Sequence, residues 1–524
     1  MFYKVTNLKL PITSSFDEVF SACQKKLGLC KSDIISKKIL KKSIDARRRE
    51  VNFIYTVLIE TDKSVKETDN IKKVEIEEKT PLIQGNTPLR NRPVVVGFGP
   101  CGMFCALTLA RLGYNPIVFE RGADVDERTK KVNNFWLGGA LDTNTNVQFG
   151  EGGAGTFSDG KLTCRIGDER IDSILSDFVR FGAPDDITYQ ALPHIGTDIL
   201  KHIVKSIREE IISLGGSVHF NTGVSDIIIK DGELKSLVLS DGDEVFCDVA
   251  VFAIGHSARD TYEMLYRRGL SMMAKTFSVG FRCEHLQKDI DYALYGDYAG
   301  DERLGPASYK VSHRAGDVGC YSFCMCPGGV VVAGNSTPNT IVVNGMSNFD
   351  RLAPNSNSAL VVNVTQDDVG QGIFAGVKFQ QRLEETCFNA VNSGNHYLAP
   401  AQNVVDFLNK RKSTEWSVTP SYPRGVVSAN LWDILPDFVC NTLAEALVEF
   451  GKKMHGFDKC GVLTAVESRT SSPVKMLRNK ETFASTTLCN LYPCGEGAGY
   501  AGGIVSAGVD GLKVAQAICT KYQN

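Results

Sequence analysis

The sequence has little net charge, no long unbroken apolar run and no short cysteine-dense region. Its 58 Lys and Arg nearly balance its 60 Asp and Glu, which excludes a histone-like polycation, and a 43% hydrophobic content excludes a disordered chain. The uncharged residues 93–110 contain glycine and proline, so we expect a buried strand and helix there and no membrane span. A length of 524 residues predicts about two to four domains.

The start of the chain also lacks the apolar core of a secretory signal peptide. Its 16 cysteines are scattered along the whole length, which predicts reduced thiols in a cytoplasmic protein rather than a disulfide framework. No run of cysteines has the spacing of an iron–sulfur or zinc site, so we predict no metal.

Glycine, in contrast, is abundant and clustered. The chain has 49 glycines, of which seven fall between residues 138 and 160 and seven more between 495 and 511. Such clusters mark places where the backbone approaches something closely. A smaller cluster, Gly97, Gly99 and Gly102, separates a β-branched run from a helical pattern.

This smaller cluster predicts a dinucleotide site. The β-branched run, residues 92–96, precedes the glycines, a predicted helix over residues 103–112 follows them, and a second predicted strand, residues 115–119, ends at Glu120. The first glycine of such a motif makes a tight turn, the second lets backbone touch a pyrophosphate at a helix N-terminus, and the third packs helix on strand. The carboxylate accepts from a ribose hydroxyl, which argues against a 2′-phosphate. A glycine-rich turn without a ligand is the alternative.

Later segments extend the same sheet. The pattern predicts an amphipathic helix over 197–216, a parallel strand over 217–224, hairpins over 227–246, a buried strand over 248–255, a strand end over 491–497 and a helix from Gly503.

This order of elements resembles the glutathione-reductase-like FAD fold. The strand ending at Gly255 is similar to the family's Ala-x-Gly motif, and Gly495-Glu496 stands where the family has Gly-Asp. Longer strings resemble bacterial FAD-dependent dehydrogenases, also described as NAD(P)/FAD-dependent oxidoreductases, a family without an assigned substrate. These strings are Gly152-Gly-Ala-Gly-Thr-Phe-Ser-Asp-Gly-Lys-Leu162, Pro193-His-Ile-Gly-Thr-Asp198, Cys324-Met-Cys-Pro-Gly-Gly329, Glu467-Ser-Arg-Thr-Ser-Ser-Pro473 and Tyr492-Pro-Cys-Gly-Glu-Gly-Ala-Gly-Tyr-Ala-Gly-Gly503.

The resemblance implies FAD as the cofactor and, with the glycine motifs, gives a set of candidate cofactor-binding residues. They are Gly97, Gly99, Pro100, Cys101, Gly102, Glu120, Arg121, Gly152, Gly153, Ala154, Gly155, Thr156, Ser158, Gly160, Lys161, Val224, Ala253, Gly255, His256, Gly495, Glu496, Gly503 and Ile504.

Four residues are candidates for the chemistry itself. Lys161 would stabilise negative charge near a reduced flavin, or is a solvent-facing loop lysine. Cys324 and Cys326 point to one face of an extended strand, as a redox pair, as one reactive thiolate, or as plain buried thiols. Arg469 would clamp an anionic substrate, or serves loop solubility.

The predicted fold class is α/β with three domains. An N-terminal α+β accessory domain (1–85) precedes a discontinuous Rossmann-like FAD-binding domain (86–275 and 481–524), into which a mixed α+β substrate domain (276–480) is inserted. In the accessory domain we predict strands over 3–10 and 50–60, a helix over 15–27 and, after the domain, a linker over 80–91.

We therefore predict an FAD-dependent oxidoreductase that passes a hydride or electron pair between FAD and a small-molecule substrate. No second glycine motif lies between residues 256 and 480, so NAD(P)H would act only as a transient electron donor at the flavin. Residues 31–49 hold eight basic and two acidic side chains. The alternative is thus a flavoprotein whose basic N-terminal domain binds RNA or a protein partner, with FAD structural or redox-sensing.

Overall fold

The computed structural model describes residues 1–47, 50–75, 82–164, 166–316, 318–392 and 396–524. Its strands, numbered along the chain, are β1 (Phe2–Pro11), β2 (Ile34–Asp45), β3 (Asn52–Thr61), β4 (Ile71–Val74), β5 (Thr87–Pro88), β6 (Val94–Val96), β7 (Ile117–Phe119), β8 (Ser217–His219), β9 (Val224–Lys230), β10 (Glu233–Leu239), β11 (Glu244–Phe246), β12 (Ala250–Phe252), β13 (Met272–Ala274), β14 (Phe277–Leu286), β15 (Ser312–Ala315), β16 (Val318–Cys326), β17 (Val330–Ala333), β18 (Val343–Met346), β19 (Asn355–Val364), β20 (Ala399–Asn403), β21 (Val426–Ser428), β22 (Val462–Glu467), β23 (Val474–Met476), β24 (Leu491–Pro493) and β25 (Tyr522–Gln523). Its α-helices are α1 (Phe16–Leu27), α2 (Pro100–Arg111), α3 (Val125–Trp136), α4 (Arg170–Arg180), α5 (Gly196–Ser213), α6 (Arg259–Arg267), α7 (Gln287–Tyr295), α8 (Gln366–Val369), α9 (Ala375–Val391), α10 (Val404–Leu408), α11 (Asp437–Lys453) and α12 (Ile504–Lys521).

The first four strands form one sheet, in the order β2-β3-β1-β4, with α1 against it. Ser15 and Glu18 start α1 with a capping box, in which each side chain accepts from the other's backbone N–H, and Gly28 ends it in the left-handed region. The predicted helix and both predicted strands of this region are confirmed. The basic segment forms most of β2, while Arg48 and Arg49 lie outside the described residues.

The predicted linker is attached to the C-terminus. Residues 80 and 81 lie outside the described part, but Gly85 donates its N–H to the Cys519 carbonyl at 2.8 Å, and β5 pairs with β25. The segment 82–91 therefore runs along the end of α12 as ordered chain.

A parallel five-stranded sheet, β24-β12-β6-β7-β8, forms the centre of the second unit. Because successive strand residues face opposite sides, Val95 packs under α2, α5 and α12, while Val94 and Val96 pack towards α6 and the hairpin sheet β9–β11. The predicted glycine-turn strands and helices are confirmed. The predicted parallel strand over 217–224 is confirmed as β8 beside β7, but it is shorter than predicted, because Asn221, at φ 55°, turns the chain and β9 then pairs antiparallel with β10.

The third unit is a seven-stranded sheet in the order β15-β16-β19-β14-β22-β20-β21. Its pairs are antiparallel except for β20 with β21, and α9 and α11 cover its apolar face. Among the described helices, none combines the length and apolar character that a membrane crossing requires.

Candidate functional site

A cleft of about 1010 Å³ opens at the carboxyl ends of β6, β7 and β12, where ligands bind in open α/β sheets. It is lined by Val96, Gly97, Phe98, Gly99, Pro100, Cys101, Phe119, Glu120, Arg121, Gln148, Phe149, Gly150, Gly153, Ala154, Gly155, Thr222, Gly223, Val224, Ala253, Ile254, Gly255, His256, Ser257, Ala258, Thr261, Glu496, Gly503, Ile504 and Ala507.

The glycine turn forms the floor of this cleft. Gly97 has φ 96°, and a Cβ there would lie 2.5 Å from the Ala253 carbonyl oxygen, while a Cβ on Gly102 would overlap the Gly97 carbonyl. Gly99 differs, because its Cβ would make only an ordinary 3.6 Å contact with Gly153. Gly99 is also the N-cap of α2, and the N-terminus of α2, which begins with Pro100, lies at the cleft without a side-chain cap.

Glu120 is buried at the edge of the cleft and is largely satisfied by backbone. Its carboxylate accepts from the N–H groups of Phe98 at 2.8 Å and of Gly122 and Gly150 at 2.9 Å each. A carboxylate has about four acceptor positions, so roughly one remains for a ribose hydroxyl. The same side chain therefore ties the glycine turn to the loop that starts at Gly150.

The opposite wall contains polar groups that lack partners. His256 Nε2 is buried without a hydrogen bond, and its Nδ1 lies 3.6 Å from Glu496 Oε2. Gly503, at φ 90°, begins α12 without a side-chain cap. Two uncapped helix N-termini, an orphaned imidazole nitrogen and a glycine cradle fit a dinucleotide with an anionic pyrophosphate.

Seven of the predicted cofactor residues do not line the cleft. They are Gly102, Gly152, Thr156, Ser158, Gly160, Lys161 and Gly495. Ser158, for example, closes its own loop by donating to the Gly155 carbonyl, and Gly495 donates its N–H to Asp510 at 2.7 Å. The remaining sixteen predicted residues line the cleft.

The prediction missed several lining residues, among them Gln148, Phe149, Ser257 and Thr261. Gln148 accepts from the Ser257 hydroxyl at 3.1 Å across the cleft. Gln148 and Phe149 directly precede the glycine loop in sequence, a signal that was available, whereas nothing local marks Thr261 on α6.

Cys101 and Cys494 form a buried pair below the cleft. The Cys101 Sγ lies 2.9 Å from the Cys494 Sγ, and Asp510 lies beside both. Arg478 forms a two-pronged ion pair with Asp510, at 2.6 and 2.9 Å, which supplies its counter-charge.

The predicted catalytic side chains meet in a second cluster, on β14 and β16. Arg282 is fully buried, donates to the Cys324 carbonyl at 2.5 Å and lies 3.4 Å from the Cys326 Sγ. Lys161 donates to the carbonyl of Met325, between the two cysteines, and pairs with Asp159 at 2.9 Å. Cys324 sits at φ 45° in a register irregularity of β16 and is partly exposed.

This environment separates the two thiols electrostatically. The hydrogen bond from Cys326 lowers the pKa of Cys324, burial opposes it, and the charges of Arg282 and Lys161 lower it further, to about 5. The same bond and burial raise the pKa of Cys326 well above its usual range. Burial raises the pKa of Glu467, the ion-pair partner of Arg282 at 3.1 Å, to about 7. The cluster thus combines one thiolate, one thiol and two cations.

Arg469 does not reach solvent as the clamp hypothesis expected. Its guanidinium donates to both oxygens of Glu384 at 3.0 Å, and the Arg259 guanidinium binds the same carboxylate at 2.8 and 3.0 Å. The Nη1 group of Arg469 donates to the Ser336 hydroxyl. The structure therefore uses Arg469 in a buried ion pair, and a substrate contact for it stays a prediction.

One of the two matching family models describes an FAD-dependent protein. The family described as "FAD-dependent protein, C-terminal domain-like" matches residues 276–470, and a domain family of unknown function matches residues 3–60. An uncharacterised protein of Clostridium beijerinckii (strain ATCC 51743 / NCIMB 8052) is 46% identical over 533 aligned positions, covering 100% of this chain and 99% of the relative.

Solved structures resemble the chain more distantly. A geranylgeranyl bacteriochlorophyll reductase-like protein of Thermoplasma acidophilum is 11% identical with a TM-score of 0.34, covering 82% of this chain and 78% of that one. CtdE in complex with FAD is 11% identical with a TM-score of 0.29, covering 82% of each chain. The chain belongs to one family with its Clostridium relative, and it carries the C-terminal domain described for FAD-dependent proteins.

Proposed function

We propose that this flavoprotein is an enzyme that passes a hydride or electron pair between FAD and a small-molecule substrate in the cytoplasm. The observation that carries the proposal is the cleft, where two uncapped helix N-termini converge with the glycine turn and the unpartnered His256 nitrogen. FAD, when bound, supplies the hydride or electron-pair chemistry.

The residues of the cleft would hold the cofactor by complementary charge and close approach. The N-terminus of α2, at Gly99 and Pro100, would bind the pyrophosphate, and Glu120 would accept from a ribose hydroxyl through its remaining acceptor position. His256 and Glu496, at the other wall, would contact the flavin end of the molecule. The other predicted residues that line the cleft would contribute backbone contacts.

We further propose Lys161, Cys324 and Cys326 as the catalytic residues. Lys161 would hold negative charge at this cluster, and Cys324 would act as the nucleophilic thiolate with Cys326 as its proton-bearing neighbour. The support for these roles is the convergence of Arg282 and Lys161 on the two thiols.

The test is an anaerobic titration of the purified protein with NADH and then NADPH, while the visible absorption band of the flavin is followed. We expect bleaching by one of the two donors, because NAD(P)H would bind transiently at the flavin. A protein that purifies without flavin and cannot be reconstituted with FAD would overturn the proposal.

The variant Gly99→Val tests the cofactor site separately. Its side chain would point into the cleft without a backbone clash, so we expect a folded protein that no longer retains FAD. Gly167→Val is the matched control, because a Cβ at Gly167 would meet no neighbouring atom. Gly138→Val would not serve, since Gly138 has φ 108°, a backbone conformation that residues with side chains rarely adopt. Full FAD retention by Gly99→Val would contradict the assignment.

A further inference from the structure

A second, larger cavity lies between the N-terminal sheet and the rest of the chain, with about 1720 Å³ of empty space. It shares no lining residue with the flavin cleft. Its walls are Lys42, Ser43, Ile44, Ala46, Arg47, Phe53, Asp186, Ile187, Gln190, Ala191, Leu192, Pro193, His194, Leu294, Tyr295, Arg303, Leu304, Gly305, Pro306, Ser308, Phe349, Asp350 and Arg351.

The N-terminal wall of this cavity is fixed in place, because the edge strand β2 is hydrogen-bonded to the segment opposite. Lys42 donates its N–H to the Tyr189 carbonyl at 2.7 Å, and Ala191 donates its N–H to the Lys42 carbonyl at 2.8 Å. Leu304, which is 8% exposed, belongs to the apolar core of the N-terminal sheet. The N-terminal unit is therefore a fixed wall of the cavity.

One cation in this cavity is not matched by an acid. Arg351 pairs with Asp159 at 3.0 Å, Arg303 with Asp301 at 2.9 Å, and Arg47 with Asp45 at 2.7 Å. The Lys42 ammonium instead lies 4.0 Å from the centre of the Phe53 ring and forms no ion pair with a described carboxylate.

The electrostatic surroundings of Lys42 favour an added anion. Burial lowers its pKa, and Asp186 only partly offsets this effect. Asp350 is the other acidic side chain among the lining residues. An anionic group beside Lys42 would therefore replace lost hydration with a direct charge-assisted hydrogen bond.

The cavity also exposes apolar side chains at its mouth. Ile44 is 41% exposed and Leu192 is 64% exposed, and both line it together with Phe53 and Phe349. Isolated exposed apolar residues are common, but two that face one cavity beside aromatic rings provide a surface for an apolar body.

We propose that this cavity binds a small amphipathic carboxylate, with its anionic group at Lys42 and its apolar body against Ile44, Leu192 and Phe53. The proposal goes beyond the proposed function, because binding here requires no flavin reduction. It also assigns a role to the N-terminal unit, which supplies the cation and half of the apolar surface.

The test is isothermal titration calorimetry of the FAD-saturated full chain with decanoate and with naphthalene-2-carboxylate, and with decylammonium as the charge-reversed probe. We expect one of the anions to bind with one site per chain and decylammonium to give no saturable heat. Saturable binding of neither anion, or equal binding of decylammonium, would overturn the proposal.

Variants locate the site. Lys42→Met keeps the aliphatic stem and removes the charge, so we expect about tenfold weaker anion binding, whereas Lys42→Arg stays close to the wild type. Lys38→Met, on the exposed part of β2, is the matched control and should change nothing.

A variant outside β2 keeps the proposal testable if Lys42→Met does not fold. Leu192→Glu alters an exposed side chain and adds a negative charge to the lining of the cavity. It should therefore also weaken anion binding at least tenfold. Unchanged binding in both Lys42→Met and Leu192→Glu would contradict the site. Flavin bleaching by NAD(P)H is measured separately, so a failure here leaves the proposed function untouched.

Discussion

Cys324 owes its acidity to the residues beside it. The first cause is the hydrogen bond from Cys326, so Cys326→Ala should move the pKa of Cys324 from about 5 towards the ordinary 9.0. A cysteine alkylates as its thiolate, so wild-type labelling by iodoacetamide should rise to half its maximum near pH 5 and the variant only at higher pH. Mass spectrometry of the labelled peptides measures both, with exposed Cys460 as the internal control. Identical profiles for Cys324 in the two proteins would refute this cause.

Glu384 lies between two guanidinium groups, that of buried Arg469 and that of partly buried Arg259. Burial alone would raise its pKa, but Arg469 and Arg259 lower it to about 2, against an ordinary value of 4.5. Because the folded pKa is depressed, its contribution to stability is complete above about 4.5 and is lost as the pH falls towards 2. Glu384→Gln leaves two cations without a counter-charge, so at pH 7 we expect a loss of about 3–5 kcal/mol in the free energy of unfolding.

Urea unfolding at pH 7 and at pH 3 measures this effect. The gap in unfolding free energy between wild type and Glu384→Gln should narrow at pH 3, because the carboxylate of the unfolded wild type, with its ordinary pKa of 4.5, is protonated there while the folded one is still mostly ionised. Glu385→Gln, one residue along α9 and partly exposed, is the control and should differ little from wild type. A gap that widens at pH 3 would contradict the assigned sign.

At the scale of elements, helices α2 and α12 approach closely through glycine. A Cβ on Gly511 would overlap the Cys101 carbonyl of α2, whereas a Cβ on Gly508 would lie 2.8 Å from the Phe104 ring edge, which can shift. An alanine normally favours a helix by about 1 kcal/mol over glycine, so a loss must come from the contact. We expect Gly511→Ala to lower both thermal stability and FAD retention, and Gly508→Ala to do so less. The reverse order would contradict this packing.

The sequence predicts the elements of the flavin cleft well because their signals are local. Gly97, Gly99 and Gly102 lie within six residues, and the positive φ of Gly97 and the contact of Gly102 with the Gly97 carbonyl arise within the turn that they form. The ion pairs of Glu384 could not be predicted, because Arg259 and Arg469 lie 125 and 85 residues away along the chain. The same holds for Arg282 and Glu467, at 185 residues. The pairing of β14 with β22 brings Arg282 and Glu467 together, whereas the packing of α6 and α9 brings Arg259 to Glu384.

At the scale of the whole molecule, the N-terminal sheet is joined to the second unit, with the five-stranded sheet, as well as to the third, with the seven-stranded sheet. Lys42 donates its N–H to the Tyr189 carbonyl and accepts at its own carbonyl from the Ala191 N–H, and Phe16 packs edge-on against Tyr189 with ring centres 5.8 Å apart. An internal contact therefore occupies part of the edge of β2, the strand that the basic segment forms. RNA or partner binding by its remaining exposed lysines stays a prediction.

Leu304, which lies outside the N-terminal sheet, packs into the apolar core of that sheet. Truncation of a buried leucine to alanine costs about 2–5 kcal/mol, and here we expect the loss to fall on the docking of the N-terminal sheet. Hydrogen exchange should report it, because amides that open locally exchange faster than those of the core. In Leu304→Ala, the amides of Lys42 and Ala191 should exchange at least about tenfold faster, while those of β6 keep their wild-type rates.

Leu352→Ala is the matched control, since Leu352 is 78% exposed and should leave every one of these rates unchanged. Faster exchange throughout β6 and β7 as well would mean that Leu304 stabilises the fold as a whole, and no change at Lys42 would mean that the backbone bonds hold the sheet without it. Selective opening would instead show that the N-terminal sheet is a separable unit. The carboxylate cavity, which this sheet closes on one side, should then lose decanoate binding in the same variant while the flavin stays bound.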